Sequence, residues 1–380
     1  MPINYVDLHP QISQYCQRKA IEQENRKKKL ALALSLLDQC QNRPEIYQKK
    51  WQESATKDLV RQKRFGFPIS ERINQPIPSP DAIAQYQISA SDGSQIIPDR
   101  HEALQIALVN VSAINYLTNS GRIPAVTTKT TFITDETGQI AVDLLPDDFV
   151  KLSRDLAELM ILLEVESLAK VPHIMLIDGP IELFHQPRMG GEYAVLFQEY
   201  INTLIALSQT NRILGGCIDK PRSPLIGNAL SVLFQEDLNG LPDTDIFSTL
   251  LQPNQRSAIF RLIAFSSLKY PEPVSIRFFY LNVGNKTFPW IIRVEIPAWV
   301  ADNKVWVNYL HRAILDQCPV LGTNPYPYVL HRAHEEAIVH FQEKENLSHM
   351  ITAQLMANGQ TTGKKSYKLI AKELQLSTRI

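Results

Sequence analysis

The chain has 380 residues, 39 Lys/Arg against 39 Asp/Glu, and 44% apolar residues. That composition excludes wholesale disorder. Zero net charge excludes nucleic-acid binding by bulk charge and leaves only local basic patches for it. The length suits one large domain or two ordinary ones. No apolar run reaches the roughly 18 residues that a membrane span needs. The start, "MPINYVDLHPQISQYCQRK", lacks the charged-then-apolar layout of a signal peptide. The expectation is a soluble, cytoplasmic protein with no membrane association. Cys16, Cys40, Cys217 and Cys318 are far apart, which argues against a structural zinc site or a disulfide framework.

In chain order, residues 11–64 read as helix, with apolar residues at helical spacing in "LALALSLL". Charge is uneven here: 13 Lys/Arg face 7 Asp/Glu in residues 1–70. Residues 65–85 are Pro-rich and read as a linker. The period then changes to two. "YQISASD", "ALQIALVNVSAINYL" and "TTKTTFITDE" read as an antiparallel meander, with Asp92-Gly93 expected to make its first bend. Residues 147–170 form a helix with an acidic first turn. "HIMLID" (173–178) is a short buried strand, followed by a helix in "GGEYAVLFQEYINTLIALSQTN" and a strand in "RILGGCID". Helical stretches are expected around 223–237 and 253–268. A hairpin turns near Gly284, a helix covers about 300–317, and a last long helix starts near Pro327. The tail "TTGKKSYKLIAKELQL" is basic. Three antiparallel strands, then strands alternating with helices, is the chain order of a ribonuclease H-like mixed α/β sheet.

Two acids stand at strand ends. Tyr86, Ile88, Ala90 and Asp92 share one face by alternation, so Asp92 continues an apolar row. A carboxylate there is expensive unless it is paired or bound to metal. Asp178 ends a fully apolar strand, where open α/β sheets build their sites. The helix between them offers three glutamates. Glu164 and Glu166 have apolar neighbours at helical spacing, while Glu158 has Arg154 at i−4, a simple surface pair. Two Asp and one Glu from three elements suit a hard cation such as Mg²⁺ or Mn²⁺, and two such ions suit phosphodiester cleavage. In "TNPYPYVLHRAHEEAIVHF", His334 lies on an apolar helical face and Tyr326 at the helix mouth. A satisfied core histidine is the plainer reading of the first.

These pieces together resemble the NurA nuclease family, which joins a "DGS", a helical Glu, a second "DG" and a "YPxxLxxAH" motif. Here they read Asp92-Gly93-Ser94, Glu164, Asp178-Gly179 and Tyr326-Pro327…Leu330…Ala333-His334, over about residues 85–345. The second motif ends "DGP" where the family more often has "DGS". The resemblance implies a homodimeric, Mn²⁺-dependent (or Mg²⁺-dependent) 5′→3′ DNA exonuclease with single-strand endonuclease activity. It also implies a HerA-type hexameric ATPase translocase as partner in double-strand-break end resection. Asp92, Glu164 and Asp178 would hold two metal ions with His334, Tyr326 would complete the site, and Lys220 would touch phosphate. On this view residues 1–80 are a basic helical extension with a Pro-rich linker, 81–345 the nuclease domain, and 346–380 a helical, basic tail. A catalytically silent DNA- or translocase-binding subunit is the alternative. A sugar-kinase-like phosphotransferase would want Gly-rich phosphate loops, for which the glycines at 190–191 and 215–216 are a poor substitute.

Overall fold

A computed structural model describes residues 3–42, 45, 49, 51, 57–98, 106–133, 147–168, 170–183, 191–322 and 324–360. The basic tail from 361 onward and Gly190 lie outside them. The first elements are α1 (Tyr5–Asn42), α2 (Lys57–Gln62), β1 (Phe65–Pro68), β2 (Gln87–Ile96), β3 (Ala107–Leu117) and β4 (Ala125–Ile133). Next come α3 (Asp147–Glu164), β5 (His173–Asp178), α4 (Glu192–Ser208), β6 (Arg212–Ile218), α5 (Leu225–Phe234) and α6 (Asp243–Leu250). Then follow β7 (Phe260–Ile263), β8 (Ile276–Asn282), β9 (Ile291–Pro297), α7 (Ala298–Ala301), α8 (Lys304–Gln317), α9 (Tyr328–Ala337) and α10 (Phe341–Ala357). No helix among the described residues is long and apolar enough to cross a membrane.

The chain divides into two compact units, each drawn from separate stretches. The first comprises Met1–Ala82, Gly179–Glu182 and Gly216–Pro325; the second comprises Ile83–Asp178, Leu183–Gly215 and Tyr326–Ile380. The fold is mixed α/β. In the second unit the strand order is β5-β2-β3-β4. β2, β3 and β4 are antiparallel, and β5 joins β2 in parallel. The antiparallel meander is the one expected from the alternation.

α3 forms because Leu152, Leu156, Leu159 and Leu162 recur on one face and are buried, each contributing about 1.5–3 kcal/mol. Asp147 and Asp148 suit its positive N-terminal end. Its last turn is held by Arg212, whose guanidinium donates to the carbonyls of Leu162, Leu163 and Val165 at 3.2, 2.8 and 2.7 Å. α3 covers one face of β2 and β3, and α9 covers the other.

The first unit orders its strands β1-β7-β8-β9-β6. A buried ionic group sits among them. Arg293 Nη2 donates to Glu295 Oε1 at 3.0 Å, and Glu295 Oε2 accepts the Glu182 amide at 3.0 Å. Arg64 pairs with Glu182 in turn. Asp243 accepts the amides of Ile226 and Gly227 at the start of α5, and the Tyr280 hydroxyl at 2.6 Å. In α1 only the C-terminal part is packed, through Ala33, Leu36, Leu37 and Cys40.

Four expectations change. Asp92-Gly93 is not a bend: β2 runs through it, with Asp92 opposite Ser112 and Gly93 opposite Val111. The stretch around 253–268 contains β7 rather than a helix. Phe260 and Leu262 are buried while Arg261 is exposed, so the period there is two. β1 lies inside the Pro-rich segment, paired antiparallel with β7. The last long helix is two helices. Ala337 O accepts Ser94 Oγ at 2.5 Å and Asn110 Nδ2 at 2.9 Å, so that carbonyl is engaged by strand side chains where α9 ends. Ile338 turns extended, and α10 starts afresh with a capping box between His340 and Glu343.

Candidate active site

β2 and β5 place two acids side by side. Their parallel ladder pairs Ile88 with Ile174, Ala90 with Leu176 and Ser91 with Ile177. One residue further on, Asp92 and Asp178 are level, on strands about 4.8 Å apart. Partners in a parallel ladder point to the same face, so both carboxylates belong to the α9 face. Asp92 is only 8% exposed, while Asp178 at the strand end is open to solvent. Gly179 follows with φ of 102°, a conformation that favours glycine and turns the chain away after β5.

The third acid comes from the opposite face. Ser91 Oγ donates to the Glu158 carbonyl at 2.9 Å, which docks α3 on β2. A β-carbon built on Gly93 would lie 2.8 Å from Glu158 Oε1 and 2.7 Å from Arg154 Cγ. The missing side chain at position 93 is therefore the space that the Glu158 carboxylate uses. Glu158 is 6% exposed. Burial pushes its carboxyl well above the usual range; Asp155, Asp92 and Asp178 add to this, and Arg154 opposes it.

This placement corrects the reading of the helical glutamates. The Arg154–Glu158 pair forms, at 3.2 Å, but it is not a surface pair. Glu164 lies six residues on, about 240° around the helix. Its side chain is 52% exposed and meets Lys129 Nζ at 2.8 Å. Glu166 is exposed and beyond the end of α3. The structure brings Glu158, and neither of the other two, alongside Asp92.

α9 supplies the histidine. His334 Nδ1 and Asp92 Oδ2 are 2.6 Å apart, and Asp92 Oδ1 accepts the Gly93 amide at 2.8 Å. His334 is thus not a closed core histidine; its side chain is 57% exposed. Its helix is clamped at Ala337 by Ser94 and Asn110, and Thr130 donates to Asn110 Oδ1 at 2.6 Å. Tyr326 is half-buried, two residues before α9. Lys220 belongs to the other unit. It follows β6 with φ of 46°, and its ammonium lies 4.2 Å from the centre of the Trp290 ring.

The NurA domain family model matches residues 86–339, two thirds of the chain, a span that includes Asp92, Glu158, Asp178, Tyr326 and His334. The chain belongs to the NurA domain family. It is similar to the NurA nuclease from Sulfolobus solfataricus, at 13% identity over 84% of this chain and 95% of that one, with a TM-score of 0.49. It is also similar to the catalytic domain of human Endonuclease V, at 12% identity over 80% and 96%, with a TM-score of 0.38. No curated protein matches the chain.

The donor set of this NurA domain fits a hard divalent cation. Asp92, Asp178 and Glu158 offer only oxygen; burial raises the Glu158 carboxyl first, and the charge that Asp92 and Asp178 add to this is one that a cation would relieve. As they stand, no three His, Cys, Asp or Glu side chains among the described residues are drawn close enough to hold an ion. Asp92 spends its two oxygens on His334 and the Gly93 amide instead. Three contributors were not singled out in the sequence: Gly93 as the gap for a carboxylate, and Ser94 and Asn110 as the clamp on α9. Gly93 and Ser94 carried a signal, as the second and third residues of the "DGS" motif; Asn110 carried none. Gly216 of β6 is a packing residue, since a β-carbon on it would lie 2.6 Å from the Gly179 carbonyl.

Proposed function

We propose that this NurA domain protein is a metal-dependent DNA nuclease, with Asp92, Glu158 and Asp178 as its ion-holding carboxylates. The reading rests on one observation: two level aspartates, Asp92 within β2 and Asp178 at the end of β5, share a field with a buried glutamate that reaches β2 through Gly93. Mn²⁺ or Mg²⁺, as two ions, would supply the Lewis acid that polarises the phosphodiester and activates water. The chain's own residues do the rest. His334 is tied to Asp92 through Nδ1, which orients that carboxylate and leaves Nε2 to exchange a proton with an attacking water or leaving oxygen. Arg154 balances Glu158 while the site is free of metal. Tyr326, at the mouth of α9, would contact the phosphate.

On the family resemblance, the activity would be 5′→3′ exonucleolytic with single-strand endonuclease activity. The protein would act as a homodimer with a HerA-type translocase in end resection. The test is cleavage of labelled single-stranded DNA with Mn²⁺ or Mg²⁺ by wild type, Asp92→Ala and Asp178→Ala. Cutting by wild type alone is expected. Equal cutting by all three would overturn the site. DNA binding without cutting by any of them would leave a catalytically silent binding subunit.

A further inference from the structure

The first unit contains a cleft of about 770 Å³ lined by Arg26, Lys220, Arg222, Pro242, Pro289 and Trp290. Its size falls within the roughly 300–1,000 Å³ of sites that take small ligands. Its chemistry is specific. The Trp290 indole N–H donates to Asp219 Oδ1 at 2.7 Å, which fixes the ring plane. Lys220 covers one face of that ring, so the other face is the one left for a ligand. Lys220 reaches this position from a left-handed backbone conformation, which a residue with a side chain rarely adopts. Arg26 is committed to Asp245. Arg222 is exposed and has no hydrogen bond or ion pair among the described residues.

A flat ring with a fixed plane beside two cations not engaged by carboxylates suits a ligand that alternates flat bases with phosphates. We infer that this cleft is a subsite for a single-stranded stretch of nucleic acid, with a base against Trp290 and its phosphates on Arg222 and Lys220. In a duplex both faces of each base are already stacked, so a ring platform selects single strands. The inference rests on the nuclease reading for its biological sense and adds to it a place in the first unit that holds the unpaired strand.

The test is anisotropy of a labelled oligothymidylate in EDTA, where nothing is cut. Arg222→Ala, an exposed change, and Trp290→Ala should each weaken binding about tenfold. Trp290→Phe should restore most of it, and affinity for a blunt duplex should not move. Arg222→Ala should also flatten the dependence of log affinity on log salt by about 0.7. Single-strand affinity unchanged in Arg222→Ala and Trp290→Phe equal to Trp290→Ala would overturn the subsite. Thymidine monophosphate competing as well as the oligomer would make it a mononucleotide site and overturn the strand reading. Binding that depends on Arg222 in a protein that cuts nothing with Mn²⁺ would sink the nuclease reading alone. Cutting that depends on Asp92, with binding indifferent to Arg222, would sink the subsite alone.

Discussion

Glu158 fills the space that a side chain on Gly93 would need. A methyl group there would press on Glu158 Oε1, on Arg154 Cγ and, at 3.0 Å, on Val111 Cγ1. Gly93→Ala should therefore lower stability by about 1–3 kcal/mol in chemical denaturation. It should lower cleavage more than it lowers DNA binding, because the displaced group is a carboxylate of the site. Wild-type stability in that variant would show that α3 can back away freely.

Glu158→Gln keeps the shape and removes the charge. Cleavage should fall at least about a hundredfold, the scale of losing a group that acts on the transition state. Glu164→Gln removes an exposed pair with Lys129, worth less than about 1 kcal/mol, and should leave both stability and cleavage alone. Measured side by side with one substrate, these two variants decide which glutamate serves the site.

Ser94 and Asn110 share one acceptor. Ser94→Ala leaves Ala337 O with Asn110, so the single change should cost about 1 kcal/mol of stability. The double change leaves a helix-end carbonyl unmatched and should cost about 1–3 kcal/mol more. Turnover should drop while KM stays near wild type, since His334 loses its fixed distance to Asp92 and no substrate contact is removed. Ser94→Thr, which keeps the hydroxyl, should recover turnover if the clamp is what matters.

Two buried histidines make the fold acid-sensitive. Burial, with Arg212 nearby, pushes His173 down to about 4; burial, with Arg256 nearby, does the same to His311. Between about pH 6.5 and pH 4 the unfolded chain binds these protons and the folded chain does not. Their contribution is present above the ordinary histidine value and is lost as pH falls through about 4, by about 3 kcal/mol each. Denaturation midpoints taken from pH 7 to pH 4.5 should fall, and His173→Gln should flatten the slope. A midpoint independent of pH in wild type would contradict both assignments.

The basic run Arg26–Lys29 in the second half of α1 divides by role. Arg26 pairs with Asp245, and Lys29 Nζ with Asp237 at 3.0 Å, so both tie α1 to its own unit. Lys27 and Lys28 are exposed. Replacing Lys27 and Lys28 with Ala should weaken DNA binding and reduce its salt dependence, whereas Arg26→Ala should act on stability. Unchanged DNA affinity without Lys27 and Lys28 would assign the run to protein contacts.

The order of elements in the second unit, and the facing of Asp92, were readable because alternation in "YQISASD" is a local property. What was not readable depends on partners remote in sequence. Asp-Gly is a turn signal by local statistics, yet Gly93 answers to a helix more than 50 residues later. Glu158 looked superficial because Arg154 sits four residues before it, and i−4 spacing does not say how deep a pair lies. The break after Ala337 is invisible in a sequence of good helix formers, since strand side chains take the carbonyl there. In "SAIFRLIAF" a period of two and a period of 3.6 compete over too few residues for the pattern to choose.

Beneath α3, Gln87 Nε2 donates to Asn115 Oδ1 at 2.8 Å, Ser89 Oγ donates to the same oxygen at 2.9 Å, and Ser89 Oγ lies 2.7 Å from His173 Nε2. This polar chain crosses β3, β2 and β5. Apolar rows forbid a one-residue slip of these strands, because it would turn every side chain over. They do not forbid a slip of two, which restores the same faces. The polar chain does: a two-residue slip strands buried amide, hydroxyl and imidazole groups among apolar neighbours, each at about 1–3 kcal/mol. Asp92 and Asp178 are therefore level because of groups three or more residues upstream that take no part in their chemistry, and substitutions in that chain would shift the spacing of the two acids while leaving both in place.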